Sequence, residues 1–284
     1  MTTILRLTLR EAVRRRLIWA LLVMTVLVVA ITGWGFERFV VISHQRHLLD
    51  AEIQLGVAQL LLLVAFMFSF VLAMTAVFFG APALAADVES GLMLGLLSRP
   101  LRRVDLVLGR WMGLAVLVIA YAALSGALEI AVTAMLTGWV PPDPLGAVAY
   151  LAVEGVVLMT LALLLSTRMS VVTGGAVAVV LFGLVWLIGI LARFGSVLHI
   201  DALTQAGIVS QLVLPSDALW RGVASSLQAP AALIAASVAG GQGGSGFDEV
   251  FTGSAPTVAE LAWVVAWIAI LLTGAVVLFR RRDL

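Results

Sequence analysis

Residues 55–80 read LGVAQLLLLVAFMFSFVLAMTAVFFG and contain no charged side chain. A helix needs about 20 apolar residues to cross the roughly 30 Å of hydrocarbon in a bilayer, so this run is long enough to span a membrane. The whole chain is similar in character, because 62% of its 284 residues are hydrophobic and only 12% are charged. Soluble domains are about half apolar and about a quarter charged. The sequence therefore predicts an all-α integral membrane protein.

Five further apolar runs flank this one and predict six transmembrane helices in a single domain over residues 1–284. The first run follows three arginines. It is long for a signal peptide and no small-residue cleavage site follows it, so we interpret it as a span rather than a cleaved leader. The predicted spans cover residues 17–36, 55–80, 106–136, 145–165, 171–192 and 261–279.

The arginines indicate which ends of the spans face the cytoplasm. The chain has 17 arginines and no lysine, and an excess of cations marks cytoplasmic loops. With six spans, 13 arginines fall at the termini and in the loops after the second and fourth spans, whereas four fall on the other side. We therefore expect both termini in the cytoplasm.

Two segments outside the spans are also expected to be helical. Residues 1–16 predict an amphipathic helix in the headgroup layer, or alternatively a charged flank that only sets the topology. Residues 194–259 are long for a loop and predict external helices at 200–214 and 217–239, the second with Ser216 as its N-cap. A glycine-rich linker at 240–246 leads back to the last span.

The missing residue types exclude several kinds of chemistry. Without cysteine there is no disulfide or thiolate metal site, and without lysine there is no nucleotide-binding phosphate loop and no Schiff-base lysine. The three histidines and nine methionines are dispersed, so we expect no metal site. No catalytic motif is evident, so we expect neither an enzyme nor a nucleic-acid partner.

Glu129 and Glu154 are the acids well inside predicted spans, at similar depth in the external half. A charge inside a membrane costs several kcal/mol and normally faces a cavity or a partner. The two residues therefore predict either a polar patch that lines a translocation route or structural hydrogen bonds between helices.

The charged stretch DVESGLMLGLLSRPLRRVDLVLGR at residues 87–110 lies between the second and third apolar runs, on the predicted cytoplasmic side. Acids come first, then a leucine-rich segment, then a proline among arginines. This order favours a docking element over an ordinary charged loop, because the leucine face can pack apolarly while charged ends pair with another protein. We call residues 87–105 the coupling region.

This stretch resembles the signature of type-2 ABC exporter permeases. In that family an acid, a glycine turn and a leucine-rich helix precede a Ser/Thr-x-Pro step, and an arginine and a Gly-Arg pair follow. Leu92 departs from the family's usual threonine. The matching residues are Glu89, Gly91, Leu96, Leu97, Ser98, Arg99, Pro100, Arg103, Gly109 and Arg110.

Two further motifs support the resemblance. The arginines of residues 6–16 are similar to the family's interfacial entry helix. The external Pro215, Asp217 and Arg221 resemble a motif in the permease subunit of the nitrous-oxide-reductase maturation transporter, although Leu214 and Trp220 depart from it.

The resemblance implies a homodimer of permeases in the inner membrane of a prokaryote, bound to two ATPase subunits that hold ATP and Mg²⁺. It implies that the coupling region docks on the ATPase, with the short loop at Arg168 as a second contact, and that spans two and five line the pathway. The function implied is ATP-driven export. An alternative is mechanotransmission to an external partner without solute transport, and the external motif favours a partner in copper-enzyme maturation; a membrane-embedded enzyme is disfavoured.

Overall fold

The computed structural model describes residues 8, 16–47, 49–89, 103–228 and 255–281. The regular elements in these ranges are all α-helices, which confirms the predicted all-α fold. They are α1 (Arg16–Gln45), α2 (Asp50–Gly80), α3 (Pro82–Glu89), α4 (Arg103–Thr137), α5 (Pro144–Ser166), α6 (Val171–Val197), α7 (Asp201–Val213), α8 (Ser216–Leu227) and α9 (Val258–Arg280).

Six stretches of helix are long and apolar enough to cross a membrane, and they match the six predicted spans in order: α1, α2 with α3, α4, α5, α6 and α9. The helices are longer than the apolar runs that predicted them. With 35 residues, α4 is about 52 Å long at 1.5 Å per residue, and α1 continues past the predicted end at residue 36 to Gln45. Hydropathy detects only the part of a helix that matches the hydrocarbon, so polar ends extend beyond it.

The central helix is α5, which packs against α2, α4, α6, α8 and α9. Of the apolar stretch of α5, 67% is buried inside the protein, compared with 11% of the apolar stretch of α1. Gly155 permits the close approach, because a Cβ at this position would lie 2.6 Å from Val118 Cγ1 on α4. Small residues allow membrane helices to pack closely. The polar groups of α5 are consequently surrounded by several helices.

The apolar run predicted that the second span ends before Pro82, but in the structure the span continues beyond it. Ala81 separates α2 from α3, and helical structure resumes at Pro82 and continues to Glu89. Proline is well tolerated in the first turn of a helix because its missing N–H has no intrahelical acceptor there. The acidic start of the coupling region, Asp87 and Glu89, therefore lies on a helical extension of the second span.

Helices α7 and α8, joined by Leu214 and Pro215, fold back into the bundle; we call the pair the α7–α8 hairpin, and each helix packs mainly on the bundle rather than on the other. His199, with φ 56°, lies in the turn after α6, and α7 then packs along α6: a Cβ on Gly207 would lie 2.4 Å from Ala192 Cβ. Helix α8 packs along α5, with the ring of Tyr150 against Gly222 and Ser226 O accepting from Asp143 N at 3.2 Å.

Two details of the predicted external helices are wrong. Helix α8 begins at Ser216 with Pro215 as its N-cap, and no side chain caps it. It ends at Leu227, because Gln228 is extended, so the predicted helix is not continuous from 217 to 239; residues 229–239 lie outside the described residues. The glycine-rich linker and most of the predicted interfacial helix lie outside the described residues.

Candidate functional site

The coupling region is described at its two ends, where its charged residues bind the rest of the chain. Arg110 forms an ion pair with Asp87 and also donates to the Ala83 carbonyl, which joins α3 to α4. The predicted docking residues Gly91, Leu96, Leu97, Arg99 and Pro100 lie outside the described residues.

Glu89 and Arg103 reach the ends of two other spans. The Glu89 carboxylate accepts from the backbone N of Val171, the first residue of α6, at 3.0 Å. Arg103 donates to the carbonyls of Phe279 and Arg280, the last residues of α9, at 3.3 and 3.0 Å. A negative charge at a helix N-terminus and a positive charge at a helix C-terminus both interact favourably with the helix dipole. The ends of the coupling region are thus attached to α6 and α9.

Arg168 lies beside the first of these contacts. It is exposed in the turn between α5 and α6, close in sequence to the Val171 amide that Glu89 binds. Glu89, at the start of the predicted main contact with an ATPase, and Arg168, the predicted second contact, therefore lie on the same end of the bundle.

Glu129 and Glu154 do not share a site, although α4 and α5 pack together. Glu129 accepts from Thr32 Oγ1 on α1 at 3.0 Å and lines a mainly apolar cavity of about 30 Å³. Glu154 accepts from Ser69 Oγ on α2 at 2.9 Å and lines a second cavity of about 10 Å³. Each acid makes a hydrogen bond between helices, and each also faces a small cavity.

Asp217, predicted as part of an external motif, is the centre of a buried ionic cluster. Its carboxylate binds Arg193 on α6, accepts from Gln211 on α7 at 3.1 Å, and lies 3.6 Å from Arg221 Nε. Arg221 also pairs with Glu260 at the start of α9. We call these five residues the hairpin network. Gly189 on α6 makes room for it, since a Cβ there would lie 2.8 Å from Asp217 Oδ1.

Sequence reasoning missed three members of the hairpin network: Arg193, Gln211 and Glu260. Arg193 and Glu260 were visible as charges at the ends of apolar runs. Nothing in their spacing indicated that Arg193 would pair with Asp217 and Glu260 with Arg221, because these residues come from separate helices.

The helices α6 and α9 are each held at both ends. At one end, Val171 and the carbonyls of Phe279 and Arg280 contact the coupling region. At the other end, Arg193 and Glu260 belong to the hairpin network. The attachments of α6, at Val171 and Arg193, are about 33 Å apart along the helix at 1.5 Å per residue.

Metal-ligating side chains do not converge in the part of the chain that the structure describes, where no group of three His, Cys, Asp or Glu could hold an ion. His44 is exposed, and its ring nitrogen is 2.8 Å from the Val40 carbonyl on its own helix.

The model of a protein family described as "ABC-2 family transporter protein" matches residues 2–284 of the chain. The chain belongs to the ABC-2 transporter family. No curated protein matches it. As an ABC-2 family member with six apolar helices it is a multi-pass membrane protein and the permease subunit of an ABC transporter.

Membership of the ABC-2 family implies an ABC ATPase as partner. The contacts of Glu89 and Arg103 with α6 and α9 connect the coupling region with two spans beyond the pair it joins in sequence.

Proposed function

We propose that this ABC-2 permease is non-catalytic and exports a solute by moving its spans when a separate ATPase acts on the coupling region. ATP and Mg²⁺ bind the ATPase, since the permease has no lysine for a nucleotide phosphate loop. The working unit is two permeases with two ATPase subunits in a prokaryotic inner membrane. The arginine distribution supports cytoplasmic termini.

The observation that carries this proposal is the attachment of Glu89 to the start of α6 and of Arg103 to the end of α9. The residues between Glu89 and Arg103 are joined through the chain to α3 and α4. A displacement of the coupling region therefore acts on four helices together. Switching proteins commonly use such rigid-body movement of packed elements.

The double variant Glu89→Gln with Arg103→Gln is expected to uncouple the two subunits without separating them. Each change removes a charge–dipole interaction of about 0.3–1 kcal/mol. A combined loss of about 0.6–2 kcal/mol shifts a two-state equilibrium about three- to thirtyfold. ATP-driven export in proteoliposomes should fall by this factor, while co-purification of the co-expressed ATPase is unchanged.

Glu52→Gln is the matched control for that variant. The Glu52 carboxylate also binds a backbone amide at a helix start, Leu49 N at 3.0 Å, but it is distant from the coupling region in the fold. Its export rate should equal that of the wild type. Equal losses in both variants would show that general helix stability, rather than coupling, had been measured.

Replacing Leu96 and Leu97 with aspartate is expected to abolish association with the ATPase. A leucine face that packs apolarly against another protein cannot bury two unpaired carboxylates, each costing several kcal/mol. The measurement is co-purification of the ATPase with the permease, together with the yield of membrane-inserted permease, which should not change. An ATPase that still co-purifies with this variant would contradict the docking role of the coupling region.

Mechanotransmission is a second candidate function, and one observation favours it. Helices α6 and α9 connect the coupling region with the hairpin network at their opposite ends, so movement at one end reaches the α7–α8 hairpin. An external partner, such as a maturation factor of a copper enzyme, would then respond to the Pro215, Asp217 and Arg221 motif. ATP-dependent activation of that partner in vesicles, with no solute flux, would favour this function over export.

A further inference from the structure

A small cavity enclosed by aromatic rings lies between α2, α5, α6 and α8; we call it the aromatic cavity. Neighbouring rings contact one another, with centroids 5.3 Å apart for the closest pair, Phe70 and Phe182, and 5.4 Å apart for Phe66 and Trp186. The five rings that line it are Phe66, Phe70, Phe182, Trp186 and Trp220.

One acidic side chain faces these rings with little of its hydrogen-bonding capacity used. Glu154 is 2% exposed, and within the described residues Ser69 is the side chain that donates to it, to one carboxylate oxygen at 2.9 Å. The second oxygen is left for another donor. Ser216, 3% exposed, also lines the cavity and offers a hydroxyl acceptor.

Asp217 also lines this cavity, but its carboxylate already has cationic and hydrogen-bonding partners. Its two oxygens bind Arg193, Gln211 and Arg221 within the hairpin network. Glu154 is therefore the acidic side chain of this cavity that has no cationic partner among the described residues, and its other neighbours there are ring faces and hydroxyl groups.

We propose that the aromatic cavity binds the primary ammonium head of an amphiphilic amine, with Glu154 as its counter-ion. Aromatic faces attract cations, the more strongly when the site is desolvated. An ammonium group also donates three hydrogen bonds, which Glu154 and the hydroxyls of Ser69 and Ser216 can accept. A buried carboxylate that finds a charged donor is stabilised, whereas one without a donor is costly.

The size of the aromatic cavity selects among cations. At about 10 Å³ it has room for one water-sized group, which fits an ammonium head but not a trimethylammonium head. Phe66, Phe70 and Trp186 are only half-buried, so the alkyl tail leaves the cavity past these rings, between α2 and α6. The other acidic cavity lacks this environment, because Glu129 is surrounded by mostly aliphatic side chains.

That the bound amine is also the exported solute rests on the proposed permease function. Binding itself needs no ATPase. It is measured by calorimetry on the purified full-length chain in lipid nanodiscs at pH 7, where alkylamines are protonated, with empty nanodiscs subtracted. The three probes are hexylamine, hexyltrimethylammonium and hexanol.

We expect hexylamine to bind saturably, once per chain, and at least about tenfold more tightly than the other two probes, as a charged hydrogen bond implies. Glu154→Gln should weaken hexylamine at least about tenfold, and Trp186→Leu several-fold. The matched control, Glu129→Gln, changes another buried acid that also accepts from a hydroxyl group and should leave the affinity within about twofold.

Equal binding of hexanol or hexyltrimethylammonium, absence of saturable hexylamine binding, or an equal loss in Glu129→Gln would each overturn the inference. If Glu154→Gln does not elute as a single species, the affinities of the three probes for the wild-type chain decide whether the amine site exists. Co-purification of the ATPase is measured on the same preparations. Loss of amine binding with ATPase association retained contradicts the amine site alone, whereas a wild-type chain that binds no ATPase contradicts the proposed function.

Discussion

Replacing Asp217 with alanine is expected to destabilise the permease by about 3–5 kcal/mol, the range for removing one partner of a buried ion pair. The Asp217 side chain is 6% exposed, and its partners Arg193 and Arg221 are 17% and 14% exposed. Without the carboxylate, the guanidinium groups of Arg193 and Arg221 lose a buried anionic partner that they share, while Arg221 keeps its ion pair with Glu260. The apparent melting temperature in nanodiscs and the yield of monodisperse protein measure the effect.

The control for this variant is Asp143→Ala. Asp143 is an exposed carboxylate that caps α5 by accepting from Gly146 N at 2.9 Å, and loss of such a cap costs about 1 kcal/mol. A decrease for Asp217→Ala no larger than that of Asp143→Ala would show that the hairpin network is not structural.

The double variant Arg193→Ala with Asp217→Ala tests whether the two residues stabilise the protein through each other. Because they are in direct contact, its cost should be smaller than the sum of the single variants by at least about 0.5 kcal/mol. Additive losses would indicate that Arg193 and Asp217 act independently.

Gly80→Val is expected to force α2 away from α5 and to lower the melting temperature strongly. A Cβ at Gly80 would lie 2.7 Å from both the Met159 carbonyl oxygen and Ala162 Cβ. The carbonyl belongs to the α5 backbone, so it cannot move without moving the helix. Overpacking of this kind costs about 1–3 kcal/mol or more, and the small residue allows the close approach that membrane helices use.

Gly183→Ala is the matched control, because Gly183 lies within α6 and a Cβ there meets nothing within 4 Å. Alanine is favoured over glycine inside a helix by about 0.5–1 kcal/mol, so this variant should be as stable as the wild type or more stable. A decrease for Gly80→Val no greater than for Gly183→Ala would contradict tight packing of α2 on α5.

The roles of Glu89 and Arg103 illustrate what sequence reasoning could and could not predict. Their positions in a charged stretch on the predicted cytoplasmic side favoured a coupling element, and that interpretation considered only partners in another protein. In the structure both residues bind the ends of helices in their own chain. Which helix end lies beside a given charge depends on how the bundle packs, and no local pattern contains that information.

The two acids inside spans show the same division. Hydropathy alone identified Glu129 and Glu154 as costly residues that need partners. Similar depth on neighbouring spans suggested a common patch, but the helical rotation of α4 and α5 directs Glu129 to Thr32 on α1 and Glu154 to Ser69 on α2. Depth can be counted along a sequence, whereas rotation is set by packing against third helices.

The sequence by itself determined the membrane class and the six spans, because the length of an apolar run is a local property that decides whether a helix can cross a bilayer. The docking role of the coupling region and its cytoplasmic side stay predictions. Only the tertiary structure decided that α6 and α9 are held at both ends, that Arg193 pairs with Asp217, and that Glu260 pairs with Arg221. It also brought the rings of α2, α6 and α8 around Glu154. These contacts join residues far apart in the chain, and close packing of helices, rather than any sequence period, selects them.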